Sequence, residues 1–192
     1  MNINSFEIWL TNFLMNLGIL GYLLSCFLIV IESIIPVLPL SVFITILFYK
    51  YGYIIGFISS YICTILGCII SYSIFNGKLN IRFQKYISDK DKLNKVTNNI
   101  KNIKFTNLCL LISLPFTPQF LVNIGAGLVN MSKKKYLLGL LVGKIFLIIF
   151  WGFIGTSLIN SIKSPINLIY IALLLLGCFI LSKLVSRKEG IE

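Results

Sequence analysis

The sequence predicts an all-α, polytopic integral membrane protein with two opposed re-entrant helical hairpins, arranged as an inverted repeat, and about four spanning helices. Three observations predict this fold. Hydrophobic residues make up 57% of the 192 residues and charged residues only 12%, whereas soluble domains are about a quarter charged. The mean hydropathy is +0.93, and two long apolar stretches each contain a pair of prolines. A soluble fold of this length would expose large apolar patches, which a bilayer instead solvates.

The N-terminal segment, residues 1–16, repeats apolar residues every three to four positions. That spacing is typical of an amphipathic helix lying on a membrane surface. An extension of the first spanning helix would give the same pattern.

Five apolar stretches follow, and a spanning helix needs about 20 apolar residues. They cover about 17–49, 53–75, 105–130, 136–160 and 166–182. The first four predict a membrane domain at 17–160. Residues 161–192 then contain the last transmembrane helix and a basic cytoplasmic tail.

The 17–49 and 105–130 stretches share a P-x-x-P spacing, at Pro36 and Pro39 and at Pro115 and Pro118. Proline removes a backbone donor and obstructs the preceding turn, so each stretch should break into half-helices. Proline-interrupted segments in both halves of a membrane protein indicate an internal repeat with a site near the midplane.

The distribution of positive charge predicts the orientation. Most of the 17 Lys and Arg residues lie in residues 78–104, in Lys133–Lys135 and in the C-terminal tail, which the positive-inside rule places in the cytoplasm. Both ends of 105–130 are then cytoplasmic, so this stretch must enter and return. A first span at about 17–33 would make Ile34–Tyr49 a hairpin from the outer face. Irregular backbone at that depth implies a cavity.

The basic region at 78–104 predicts a cytoplasmic surface helix. Ser88 and Asp91 form a capping box, and Leu93, Val96 and Ile100 begin an apolar stripe between lysines. Such a helix should lie on the anionic inner leaflet. A solvated charged linker is the alternative.

Two ionisable residues lie inside apolar stretches. Glu32 could carry or sense protons, since an intramembrane carboxyl is costly and usually functional, or it could be hydrated at the outer interface. Lys144 is eight residues beyond Tyr136, about 12 Å into its span. It could snorkel to the interface, pair with Glu32 or meet a lipid phosphate.

Polar residues accompany the second proline pair, namely Ser113, Thr117, Gln119 and Asn123. They could satisfy the broken backbone or line a path for a polar headgroup. Gly127 allows a tight return or close helix packing.

Catalytic chemistry has few available residues. The chain has no histidine and six acidic residues, and it contains neither a nucleophile–base constellation nor a Walker loop. Its five cysteines form no C-x-x-C pair. We therefore expect no enzyme activity, no metal or other cofactor, and no nucleic-acid partner.

Two runs resemble signatures of the DedA superfamily, also called SNARE-associated or VTT-domain membrane proteins. The first is Glu32-Ser-Ile-Ile-Pro36-Val-Leu-Pro39, followed by Gly52, Gly56 and Gly67. The second is Leu114-Pro-Phe-Thr-Pro-Gln-Phe-Leu-Val-Asn-Ile-Gly-Ala-Gly-Leu128, with Met131 and Tyr136 after it. The wording of the second run is closest to the bacterial TVP/TMEM-type branch, and the resemblance covers about residues 18–160.

The resemblance implies two opposed re-entrant hairpins and movement of lipids between leaflets. Glu32 matches the family's acidic position in the first hairpin. The family's second hairpin commonly carries an arginine before P-x-x-P, but Leu110–Leu114 contains none. We hypothesise that Lys144 takes its place.

The sequence thus predicts a multi-pass protein of the cell membrane that moves a phospholipid or polyprenyl phosphate between leaflets. Movement could be linked to protons, and a homo-oligomer is possible. The predicted path consists of Glu32, Pro36, Pro39, Ser113, Pro115, Thr117, Pro118, Gln119, Asn123, Gly127 and Lys144. The alternative function is a non-transporting scaffold or assembly factor for the envelope.

Overall fold

The computed structural model describes residues 16–35, 38–76, 100–161 and 165–189. Every regular element in these ranges is an α-helix. Three predictions lie outside the described residues: the amphipathic segment up to residue 15, the surface helix from 78 to 99, and the structural role of Pro36.

The helices vary widely in length, and their bounds are as follows. They are α1 (Ile19–Glu32), α2 (Leu40–Asn76), α3 (Phe105–Ser113), α4 (Gln119–Leu128), α5 (Lys133–Ser161) and α6 (Pro165–Glu189).

The same order of elements occurs twice along the chain. In each copy a short helix, a proline-containing break and a second short helical segment precede a residue of positive φ, and a long helix follows it. In the first copy the second short segment and the long helix are the two parts of α2, residues 40–51 and 53–76. The positive φ is 83° at Gly52 and 49° at Asn130. We call residues 19–76 the first repeat and 105–161 the second repeat.

The prolines separate the short helices. Leu114, directly after α3, has φ −79° and ψ 130°, the extended conformation that a following proline favours. Pro118 then precedes α4. In the first repeat, Pro39 precedes α2, and its carbonyl accepts the N–H of Val42. A break therefore lies at both proline pairs, as predicted.

Gly52 divides α2 into two segments. Its φ of 83° and ψ of 166° lie in a region that is essentially restricted to glycine. A Cβ at Gly56 would lie 2.7 Å from the Cα of Phe48. Residues eight apart in a continuous helix would be about 12 Å apart. The chain therefore folds back at Gly52, and residues 40–51 and 53–76 are separate helical segments.

The chain forms two compact units. Unit 1 comprises Met1–Gly67 and Ile148–Leu173, and unit 2 comprises Cys68–Leu147 and Leu174–Glu192. Each unit contains the short helices of one repeat and the beginning of that repeat's long helix. Each unit also contains the end of the long helix of the other repeat.

Each unit has its own apolar core. The core of unit 1 contains Ile29, Phe43, Ile44, Ile46, Leu47, Phe48 and Ile148. The core of unit 2 contains Cys68, Tyr72, Ile100, Ile103, Leu108, Leu111, Ile112, Val122, Ala126, Met131, Tyr136 and Leu140.

In unit 1, α1 runs parallel to the second segment of α2. The Tyr22 hydroxyl lies 2.5 Å from Ser59 Oγ. Eight residues further along both helices, Gly67 lies against the carbonyl of Val30, where a Cβ would approach to 2.8 Å. The contacts advance in the same direction on both helices, which indicates parallel axes.

Unit 2 repeats this arrangement with α3 and α5. Gly139 lies against the Leu108 side chain, and Gly143 lies against Ile112. These contacts advance by four residues on both helices. In both repeats the first short helix therefore runs parallel to the long helix that follows.

Two described helical stretches are long and apolar enough to cross a membrane, namely Leu40–Asn76, which the reversal at Gly52 divides, and Lys133–Ser157. The 14 residues of α1 extend about 21 Å, which is less than the ~30 Å hydrocarbon core. The structure therefore does not support the predicted span at about 17–33. Residues 40–49 likewise form one helical segment rather than a complete hairpin.

Candidate functional site

The most unusual side chain of unit 2 is the lysine inside α5. Lys144 is only 1% exposed, and its Nζ donates to Gln119 Oε1 at 2.6 Å. The Gln119 amide nitrogen donates in turn to the carbonyl of Ile112. Gln119 is the first residue of α4, so this contact places the ammonium beside the second proline break.

The charge of Lys144 is poorly compensated. An ammonium has three donors, and among the described residues of unit 2 only Gln119 accepts from it. No carboxylate of that part of the chain pairs with it. Burying an ammonium without an ion-pair partner costs several kcal/mol in general. The arrangement is therefore suited to an anion.

A second polar group lies between α4 and α5 and is internally satisfied. Tyr136 and Asn123 are both buried, and the Tyr136 hydroxyl donates to Asn123 Oδ1 at 2.8 Å. The Asn123 amide donates to Cys68 Sγ at 3.4 Å. Buried polar groups that bind one another in this way fix the packing of the helices.

The second segment of α2 extends this network. The ring of Tyr72 stacks on that of Tyr136, with centroids 4.5 Å apart and planes 19° apart. The Tyr72 hydroxyl donates to the carbonyl of Met131 at 2.5 Å and accepts from the Asn76 amide at 2.8 Å. The long helix of the first repeat thereby stabilises the turn before α5.

Sequence reasoning missed Cys68, Tyr72 and Asn76 as members of this group. Their spacing of four residues places them on one helical face, and this spacing could have predicted that they lie together. Gly127 also packs here, because a Cβ would approach the Tyr72 carbonyl to 2.8 Å.

Thr117 and Ser113 have local partners. Thr117 is buried, and its Oγ1 lies 3.1 Å from Ser182 Oγ on α6. Ser113 Oγ donates to the carbonyl of Leu110 at 2.8 Å. Thr117 thus attaches the proline break to α6, and Ser113 adds a second donor to a carbonyl that already accepts the N–H of Leu114.

The predicted path residues are divided between the units. Glu32, the half-buried last residue of α1, and Pro39 belong to unit 1. The other described members belong to unit 2, namely Ser113, Pro115, Thr117, Pro118, Gln119, Asn123, Gly127 and Lys144. Of these, the structure brings Gln119 and Lys144 into direct contact.

Metal ligands do not cluster in the described ranges. No group of three or more His, Cys, Asp or Glu side chains is placed there to hold an ion. The chemistry available at Gln119 and Lys144 is reversible binding through charge and hydrogen bonds.

Comparison with known proteins identifies the family. The VTT domain matches residues 35–157. The chain is 29% identical over 167 residues to a Bacillus subtilis (strain 168) protein named uncharacterized membrane protein YhjE, covering 87% of this chain and 81% of that protein. No solved structure matches. The matched segment contains both proline pairs, all of α2 and most of α5, and the chain belongs to the DedA (VTT-domain) superfamily of membrane proteins.

Proposed function

We propose that the protein crosses the cell membrane several times and moves a lipid with a phosphate-bearing headgroup between the leaflets. The observation that carries the proposal is the buried ammonium of Lys144, held by Gln119 beside the second proline break. The family resemblance supports the same class of substrate.

Helix length supports two re-entrant hairpins, one in each repeat. The 9 residues of α3 and the 10 of α4 would extend about 14 and 15 Å, roughly half of the hydrocarbon core. Each pair of short helices can therefore enter and return, but neither of its helices can cross alone. The broken backbone between them needs protein or a water-filled cavity around it.

The parallel packing supports hairpins from opposite sides. Since the first short helix runs parallel to the following long helix in each repeat, it should enter from the side where that long helix begins. The long helix of the first repeat crosses the membrane before residues 78–104. The second hairpin then enters from the side on which the first long helix ends.

Among the described residues of unit 2 only Gln119 accepts from the Lys144 ammonium, so a phosphate oxygen can accept from its other donors, and Gln119 fixes its position. Charge-assisted hydrogen bonds to phosphate are stronger than neutral ones. We assign the headgroup contact to these two residues and packing to Asn123 and Thr117, whose polar atoms bind protein groups. Glu32, at the end of α1, is the proposed protonatable gate.

A reconstitution experiment tests the proposal. Purified protein in proteoliposomes would be assayed for transbilayer movement of a fluorescent phospholipid and of a polyprenyl phosphate. We expect Lys144→Met to abolish movement and Lys144→Arg to retain part of it, because arginine keeps the charge. Lys134→Met is the matched control, since Lys134 is exposed at the start of α5.

Equal rates of lipid movement with the wild type and with Lys144→Met would show that the ammonium is not needed for lipid movement. Absence of movement of either lipid, with and without a pH gradient and in well-folded protein, would favour a scaffold. Glu32→Gln, measured in the same assay, would test the proton gate separately.

A further inference from the structure

The described part of unit 1 contains a pocket of about 430 Å³, within the roughly 300–1,000 Å³ range of ligand pockets. One wall is formed by α2, with Phe48 before the Gly52 reversal and Tyr53, Ile54, Phe57 and Ile58 after it. Ile149 and Phe153 of α5 form the other wall. All of these side chains are apolar or aromatic, which suits a hydrocarbon ligand.

The aromatic end of the pocket is preformed. The rings of Phe48 and Tyr53 meet edge to face, with centroids 6.0 Å apart. Gly152 lies directly against the Phe48 ring, so α5 supports it from behind. The Tyr53 hydroxyl lies 3.5 Å from Thr156 Oγ1, so the polar end of Tyr53 faces α5.

The surroundings of the pocket indicate what fills it. Ile54, Ile58, Ile149 and Phe153 are each at least half exposed, and they lie on the two helices that are long and apolar enough to cross a membrane. In a membrane protein the medium around such side chains is lipid. A pocket open to that medium is accessible to one hydrocarbon chain.

The depth of the pocket in the membrane can be estimated along α5. Ile149 and Phe153 are 14 and 18 residues beyond Lys135, or about 21 and 27 Å. If Lys133–Lys135 mark one interface, the pocket lies in the leaflet on the opposite side. Lys50 is exposed two residues before the Gly52 reversal, and its Nζ lies 5.8 Å from the centroid of the Tyr51 ring, so its charge lies near the reversal that precedes Tyr53.

We propose that this pocket binds one hydrocarbon chain, acyl or isoprenoid, of a phosphate-bearing lipid in the leaflet opposite Lys133–Lys135, with the phosphate against Lys50. The site would bind its lipid whether or not the protein moves lipid between leaflets. Its test therefore has a readout separate from transport.

Photolabelling of the full-length protein in nanodiscs tests this proposal. One probe is a phosphatidylglycerol with a diazirine in an acyl chain, and the other is an isoprenoid monophosphate with a diazirine in its chain. After irradiation, mass spectrometry locates the adducts. We expect adducts to concentrate in residues 48–58 and 149–153, and the more strongly labelling probe identifies the chain type.

A matched pair of substitutions separates the pocket from the general lipid surface. Ile58→Trp should fill the pocket and reduce labelling severalfold. Ile62→Trp should leave labelling unchanged, because Ile62 is one turn further along the same helix, is 51% exposed against 50% for Ile58, and does not line the pocket. If Ile58→Trp is misfolded and does not elute like the wild type, Ile149→Trp replaces it, because Ile149 lines the opposite wall of the pocket.

Lys50→Gln tests the phosphate contact. We expect it to weaken labelling by the anionic probes but not by a diazirine-bearing diacylglycerol. Adducts spread evenly over the exposed residues of α2 and α6 would overturn the proposal. Equal labelling of the wild type and the pocket-filling variants would do the same.

Discussion

Lys144 and Tyr136 lie eight residues apart on α5, but their polar atoms differ in how far they are satisfied. The Tyr136 hydroxyl has a carbonyl partner on Asn123 at 2.8 Å. The Lys144 ammonium has one acceptor among the described residues of unit 2. At the residue scale, the first arrangement stabilises the fold and the second leaves donors for a ligand.

The stability of Lys144→Met distinguishes a binding role from a structural one. Methionine has nearly the same length and removes a buried charge, which offsets the loss of the partner of Gln119. We expect the free energy of unfolding in detergent to change by no more than about 1 kcal/mol, although lipid movement is lost. A large decrease in stability would show that the cation supports the fold.

Tyr136→Phe should give the opposite result. It removes the buried hydrogen bond from the Tyr136 hydroxyl to the Asn123 carbonyl, and the net loss of one such bond costs about 0.5–1.5 kcal/mol. Thermal unfolding of the purified protein measures the loss. Tyr53→Phe is the control, because Tyr53 is exposed and its hydroxyl lies 3.5 Å from its neighbour, and we expect little change in unfolding there.

At the scale of elements, each repeat depends on a sharp change of chain direction before or within its long helix. In the first repeat this change occurs at Gly52, where Gly56 lies against the backbone of Phe48. In the second repeat Asn130, three residues before α5 begins, has a φ of 49°. These residues set how closely the short helices pack on the long one.

Gly52→Ala should therefore be costly. A side chain at φ 83° and ψ 166° is strained by about 1–3 kcal/mol, and we expect a matching decrease in unfolding free energy. Gly177→Ala is the control, because Gly177 lies in α6 with open space where a Cβ would stand, and alanine favours a helix by up to about 1 kcal/mol. Equal effects of the two substitutions would contradict the role assigned to the reversal.

The sequence predicted the breaks at the proline pairs because proline acts locally on the residues before it. It did not predict the reversal at Gly52, since glycine in an apolar run serves packing as often as it serves a turn. The contact between Gln119 and Lys144 joins residues 25 apart, and no local pattern encodes such a contact. The predicted bounds of 17–33 lie within two residues of those of α1, Ile19–Glu32, but hydropathy alone does not show whether such a helix is long enough to cross the membrane.

At the scale of the whole molecule, we expect the Gly52 reversal and the start of α5 on opposite sides of the membrane. This follows from the proposed pair of hairpins, which enter from opposite faces, together with the positive-inside rule. Lys50 and Lys134 are both exposed and report the two positions.

Cysteine labelling in intact cells tests that topology. With the native cysteines replaced, Lys50→Cys should react with a membrane-impermeant maleimide added outside. Lys134→Cys should react only after permeabilisation. Labelling of both positions from the same side would contradict the opposed hairpins.

Headgroup selectivity tests lipid movement most directly. Proteoliposomes containing the wild-type protein would be supplied with a fluorescent phosphate-bearing lipid or with a neutral glycolipid that has the same chains, and transbilayer movement would be compared with protein-free vesicles. We expect the protein to accelerate movement of the phosphate-bearing lipid and to have a much smaller effect on the glycolipid. Equal acceleration of both would contradict recognition of phosphate by Lys144, and acceleration of neither would contradict lipid movement itself.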